Sequence, residues 1–190
     1  MSARAKTSDR AICEAVRRLL ESQGEAELSM QAIAAEVGIR APSLYKRFTD
    51  RADLLSAAAR DALEELAELM HDPITVEKTY ESLERMAHLY RRFAKNNPRT
   101  YALIFSEEMA AREDLMVARQ AATEPLLSLL TRTVGKEASL PAARLVVSYL
   151  HGFISMELAK SFRFGGNVND AFQYGLTKII HCLVAEKERA

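Results

Sequence analysis

Apolar residues recur every three or four positions along most of the chain, and strict one-in-two alternation is absent throughout. That period belongs to helices with one buried face. The spacing predicts a first helix over 8–23, with Ile12, Val16, Leu19 and Leu20 as its inward stripe and Gly24 as its stop. Ser29 is placed to cap a short second helix whose apolar side is Ile33, Ala34 and Val37. Gly38-Ile39-Arg40 then reads as a tight turn, because a left-handed residue at a helix end is cheapest when it is glycine. A third helix opens at Arg40 or Ala41, tolerates Pro42 in its first turn, and turns Leu44 and Phe48 inward. Asp50 caps a fourth, carried to about Met70 by Leu54, Leu55, Ala58, Ala62, Leu66 and Leu69.

After Asp72-Pro73 the same period continues. Helices are expected over about 76–95, 99–109 and 113–134, with Asn96-Asn97-Pro98 breaking the first and Pro125 kinking or dividing the last. A long apolar helix over about 140–164 stops at Gly165-Gly166, and a final one precedes the charged tail Glu186–Arg189. The expected fold is all-α. An N-terminal three-helix domain (1–50) holds a helix-turn-helix at about 29–48. A connecting helix (51–72) leads to a C-terminal helical domain (73–190) for ligand binding and dimerisation.

Charge changes the picture only locally. Lys plus Arg and Asp plus Glu are 26 each in 190 residues, so the whole chain is neutral. Between Val37 and Thr49, however, no acid occurs. The third helix there shows Arg40, Ser43, Tyr45, Lys46 and Arg47 outward, with Ala41 and Pro42 at its start. Cations and hydroxyls without carboxylates suit a phosphate backbone, and the second helix of a helix-turn-helix enters the major groove. Ser29, Arg51 and Arg10, at helix starts, are further candidate contacts, as are Arg4 and Lys6 of a basic N-terminal arm. Arg17 and Arg18 also lie outside the first helix's stripe.

Cys13 and Cys182 stand near opposite ends with no Cys/His cluster, so no metal site is expected, nor any cofactor. The chain shows neither a signal peptide's apolar core nor a run of about 20 apolar residues, so it is expected to be cytoplasmic with no membrane partner. No Ser/His/Asp order, phosphate loop or cofactor fingerprint points to catalysis, and no catalytic residue is assigned.

The order Gly24, Ile33-Ala34, Gly38-Ile39, Leu44-Tyr45, Phe48, Leu54-Leu55 resembles the DNA-binding domain of the TetR family of transcriptional regulators, over roughly residues 8–56. The resemblance implies a homodimer and a phosphate contact from Tyr45. Arg40 and Pro42 depart from the commoner Ser and Gly, removing a side-chain cap and adding a guanidinium at the groove edge. The segment His151–Ala159, with Phe164-Gly165-Gly166 and Asp170-Ala171-Phe172, resembles a C-terminal subgroup named for Trp-His-Gly, although Leu150 stands in the Trp position.

The second domain is expected to hold a chamber for a small apolar ligand. Met86, Leu89, Phe93, Tyr101 and Phe105 are candidate lining groups, with Met109, Met116, Phe153 and Met156. His88, His151 and Glu157 read as satisfied core or interface groups rather than ligand contacts. Tyr149, Gly152, Met156 and Ala159 on one C-terminal helix, with Phe172, Leu176, Ile179, Ile180 and Leu183 on the other, are the expected dimer interface. The expected function is a ligand-responsive regulator, a repressor holding a palindromic double-stranded operator as a homodimer and released when a small molecule tilts the fourth helix. The rival readings are a helical small-molecule-binding protein, a redox-sensing regulator using Cys13 or Cys182, and an enzyme.

Overall fold

The computed structural model describes residues 7–71 and 79–187. Among them every regular element is helical: α1 (Asp9–Gln23), α2 (Met30–Glu36), α3 (Ala41–Tyr45), α4 (Arg51–His71), α5 (Thr79–Asn96), α6 (Pro98–Ile104), α7 (Glu107–Ala110), α8 (Met116–Val134), α9 (Lys136–Leu158) and α10 (Val168–Lys187). Single 3-10 turns occupy Glu25–Glu27 and Glu113–Leu115. Asp72-Pro73, the expected helix start near residue 76, and the Arg4/Lys6 arm lie outside the described residues.

Side-chain caps set the early boundaries. Ser8 Oγ accepts the Ala11 amide at 3.1 Å and Ser29 Oγ the Ala32 amide at 3.1 Å. Asp50 Oδ1 accepts the Asp53 amide at 2.8 Å, while Asp53 Oδ2 reaches back to the Thr49 amide at 2.9 Å. The α2 end closes as the sequence predicts: Gly38 has φ +69°, its amide meets Ala35 O at 3.1 Å, and the Ile39 amide meets Ala34 O at 2.9 Å.

Later boundaries differ in three places. The helix expected over 99–109 is divided, because Ser106 Oγ accepts the Met109 amide at 3.2 Å and starts α7 afresh. α8 continues past Pro125, so the helix is not divided there. α9 starts at Lys136 and stops at Leu158 rather than near Phe164. Its end is a left-handed cap at Lys160 (φ +54°), where the Ser161 amide bonds Met156 O at 2.9 Å.

The chain divides into two compact units, residues 1–65 with 97–118, and residues 66–96 with 119–190. Two of the unit boundaries fall inside α4 and α8, and the stretch 97–118 groups with the N-terminal helices. In the first unit Ile12, Val16, Leu20, Ile33, Leu44, Leu54 and Leu55 are buried. In the second, α5 packs on α9 and α10. Gly175 lets α10 approach α9 closely: the Tyr149 ring lies where a side chain would be, with its Oη 2.5 Å from a Cβ built on Gly175. That hydroxyl donates to Phe172 O at 2.7 Å.

A buried cation ties the same three helices. Arg91 donates to Glu157 through Nε and Nη2, both at 2.7 Å, and to Asn169 Oδ1 at 2.9 Å, while its guanidinium lies 4.4 Å from the Phe172 ring centroid. Lys95 Nζ adds a bond to Glu157 at 2.9 Å. The hydrogen bond from Arg91 outweighs burial and holds the Glu157 carboxyl below the usual glutamate range. Glu157 and His88 are partnered as expected, His88 with Gln173 at 3.0 Å.

Candidate nucleic-acid interface

The helix-turn-helix is built by burying one side of a five-residue helix. Leu44 is wholly enclosed and Phe48 nearly so, which fixes α3 against α2 and leaves its other side in solvent. Arg40, Pro42, Ser43, Tyr45 and Lys46 are all exposed there, Tyr45 by 51%. Ala41 is half-buried. Among the described residues no hydrogen bond or ion pair holds the Arg40, Tyr45 or Lys46 side chain. Arg40 is the N-cap position of α3 and makes no side-chain cap, so its guanidinium stays available.

The remaining candidates are occupied. Arg47 Nη1 donates to Thr7 O at 2.6 Å and its Nη2 pairs with Asp9, so it fastens the end of α3 to the start of α1. Arg51, expected beside the duplex, instead turns back onto the α1–α2 connector. Its Nε donates to Leu28 O at 3.0 Å and its Nη2 to Glu25 O at 2.7 Å and Glu25 Oε1 at 3.1 Å. Arg10 pairs with Glu14 at 3.3 Å on an open surface, a contact that dissociates easily. Ser29 Oγ caps α2. Arg17 bridges to Asp61 at 2.9 Å and Glu65 at 2.5 Å, and Arg18 pairs with Glu36 at 3.6 Å. Burial opposes the charge of Arg17, but the two carboxylates outweigh it and raise its pKa. Apart from Arg10, whose partner lies one helical turn away, sequence spacing cannot separate these arginines from the free pair, since each is held by a carbonyl or carboxylate distant along the chain.

Comparison with known proteins agrees with this geometry. Residues 12–58 match the family described as bacterial regulatory proteins of the tetR family, and residues 83–179 match the tetracyclin repressor-like C-terminal domain. The chain belongs to the TetR family. It is therefore a transcriptional regulator with an N-terminal DNA-binding helix-turn-helix. It is 21% identical over 184 residues to the uncharacterised HTH-type transcriptional regulator YobS of Bacillus subtilis (strain 168), covering 97% of this chain and 96% of that one. A solved protein of unknown function from Rhodococcus sp. RHA1 shares the fold, with TM-score 0.81, 20% identity and coverage of 97% and 100%. So does BioQ with its double-stranded DNA operator, at TM-score 0.65, 18% identity and coverage of 95% and 99%.

In this TetR-family chain the nine expected ligand contacts divide between the units. Tyr101, Phe105, Met109 and Met116 lie in the first, where the Tyr101 and Phe105 ring centroids are 4.9 Å apart and Met116 is exposed. Met86, Leu89, Phe93, Phe153 and Met156 lie in the second. Met86 and Phe93 are buried, Leu89 and Phe153 half-buried, and Met156 exposed. Leu89 lines an open groove of about 550 Å³ along α5 whose other walls include Arg85, His88, Arg92 and Lys95, a basic rather than an apolar setting. Among the described residues, no group of three or more His, Cys, Asp or Glu is placed to hold a metal, and no helix is long and apolar enough to cross a membrane.

The residues of the expected dimer face differ in exposure between the two helices. Phe172, Leu176, Ile180 and Leu183 are buried within the single chain, and Ile179 is half-buried. The most apolar stripe of α10 is the one the chain's own core uses. The outward positions are Tyr174, Lys178, His181 and Cys182. On α9, Gly152, Met156 and Ala159 are exposed, joined by Leu145, with Tyr149 half-buried.

Proposed function

We propose that the chain is a cytoplasmic, non-enzymatic repressor that grips a palindromic operator as a homodimer and lets go when a small, mainly apolar molecule occupies its C-terminal domain. The observation that carries the reading is the outer side of α3, where Arg40, Tyr45 and Lys46 are exposed opposite a buried Leu44, with no partner among the described residues. Cations that the protein does not neutralise itself are the ones that can displace counterions from a phosphate backbone. One five-residue helix reads few base pairs, so selectivity calls for two heads on two half-sites. The outward Leu145, Gly152, Met156 and Ala159 of α9 and Tyr174 of α10 supply an apolar surface for the second copy. The His151-Gly152 pair supports placing the C-terminal domain near the Trp-His-Gly subgroup.

The redox alternative loses its N-terminal thiol. Cys13 is buried, and burial, with Asp61 and Asp9 adding to it, pushes its pKa up to about 11, which suppresses the reactive thiolate. The test of the leading reading is selection of duplexes from a random library by purified protein. Recovery of a two-fold symmetric site supports it; recovery of no preferred sequence at low salt overturns it.

A further inference from the structure

The C-terminal end of α1 is closed by the Gly24 amide on Leu20 O, and the N-terminal end of α6 has no side-chain cap from its own flank. The last turn of α1 contains no basic residue, and Asn97 makes no side-chain cap for α6. Each end completes the other. Arg99 Nη1 donates to Leu20 O at 3.1 Å, which also accepts the Gly24 amide at 3.0 Å, and to Glu21 O at 2.8 Å, two carbonyls of the last turn of α1. In return the Glu21 carboxylate accepts the Arg99 amide at 3.1 Å and the Thr100 amide at 2.7 Å, the free donors of α6. A cation at a helix C-terminus and a carboxylate at a helix N-terminus are both the favourable sign, so the exchange is reinforced by the two peptide dipoles.

The site of this exchange is what makes it consequential. Gly24 follows, and the chain then runs through Glu25 and Leu28 into α2. Arg51 holds that connector from the α4 side through Glu25 O and Leu28 O, and Arg99 holds it from the α6 side through Leu20 O and Glu21 O. Two arginines thus bracket the segment that sets how α2 and α3 leave α1. One opens α4; the other lies 48 residues further along, beside Tyr101 and Phe105, two of the expected ligand contacts. The far end of the same stretch is fastened as well. Asp114 accepts from Ser56 Oγ at 2.7 Å, Arg60 Nη2 at 3.2 Å and Arg112 Nε at 2.8 Å.

We infer that Arg99 and Glu21 are positioning residues for DNA binding: their reciprocal capping of α1 and α6 fixes the connector into α2, so the state of α6 is passed to α3 through the end of α1 as well as through α4. The inference rests on the proposed operator binding. Neither residue needs to touch the duplex.

The experiment measures binding of wild type, Arg99→Ala and Glu21→Gln to the duplex that wild type selects from a random library, across a salt series, at a temperature where circular dichroism shows all three folded. Arg99→Ala is expected to bind about tenfold more weakly, in the range of coupling between linked sites, and Glu21→Gln less weakened because it keeps an acceptor. The slope of log affinity against log salt should stay that of wild type, since no phosphate contact is lost. Unchanged affinity in folded variants overturns the inference and leaves operator binding standing. A slope reduced by about one also overturns it, because Arg99 would then be a phosphate contact itself. Wild type that selects no duplex removes both.

Discussion

The outer side of α3 and the connector between α1 and α2 use the same residue types in opposite ways. On α3, Arg40 and Lys46 project with no partner among the described residues. At the connector, Arg51 and Arg99 each donate to two main-chain carbonyls. An unheld cation keeps its charge for an outside polyanion, whereas a guanidinium spread over two carbonyls is a fastener. A basic residue in a helix-turn-helix domain is therefore a reading group or a holding group according to what faces it. Position in the motif does not decide.

The difference predicts separable phenotypes. The largest effect is expected from the doubly substituted chain Tyr45→Ala/Lys46→Ala, which should retain the wild-type melting temperature but lose about 1–3 kcal/mol of operator binding for each contact removed, with the salt slope falling by about one for Lys46. Binding at wild-type strength in a gel-shift titration would put the interface elsewhere. Arg51→Ala should do the reverse. It leaves two carbonyls of the connector without a charged donor, and a loss of about 1.5–3 kcal/mol of folding stability is expected by denaturant titration, with affinity reduced and salt slope unchanged. A reduced slope would place Arg51 on the phosphates after all.

Much of this was legible because it is local. Ser8, Ser29 and Asp50 lie at the helix starts where capping side chains belong, and Gly38 adopts the left-handed conformation its place demanded. What spacing could not carry were the long-range partners. Nothing in the pattern says that Arg47 meets Thr7 and Asp9, or that Arg51 faces Glu25 and Leu28. The end of α9 was misplaced by six residues because apolar Phe162 and Phe164 continue the helical period beyond Lys160, where the chain has already turned left-handed. On α10 the strongest apolar stripe faced the chain's own core, and the outward stripe is too mixed to stand out.

The second unit provides the contrast on stability alone. Gly175→Ala forces a methyl into the Tyr149 ring, and a loss of about 1–3 kcal/mol should follow from overpacking; an unshifted denaturation midpoint would mean that α9 and α10 give way freely. Its Arg91–Glu157 pair gives a pH signature. Because Glu157 is held below the ordinary glutamate value of 4.5, its contribution is full above that pH and is lost as the pH falls through the lowered folded value. Glu157→Gln should flatten that acid limb of stability against pH, and an unchanged profile would assign the limb to other carboxylates.

The smallest effect has the opposite sign. Thr100 is fully buried in the first unit and its hydroxyl has no partner among the described residues, so Thr100→Val should raise stability by about 1 kcal/mol. A loss instead would show that the hydroxyl is satisfied in solution.

The most direct test of the account is the stoichiometry and salt dependence of binding to the selected duplex. Two protomers on a two-fold symmetric site are expected, with an affinity that falls steeply as salt rises and collapses on Tyr45→Ala/Lys46→Ala. One protomer per duplex, or affinity indifferent to both salt and that substitution, would contradict the claim that the free face of α3 is the operator grip.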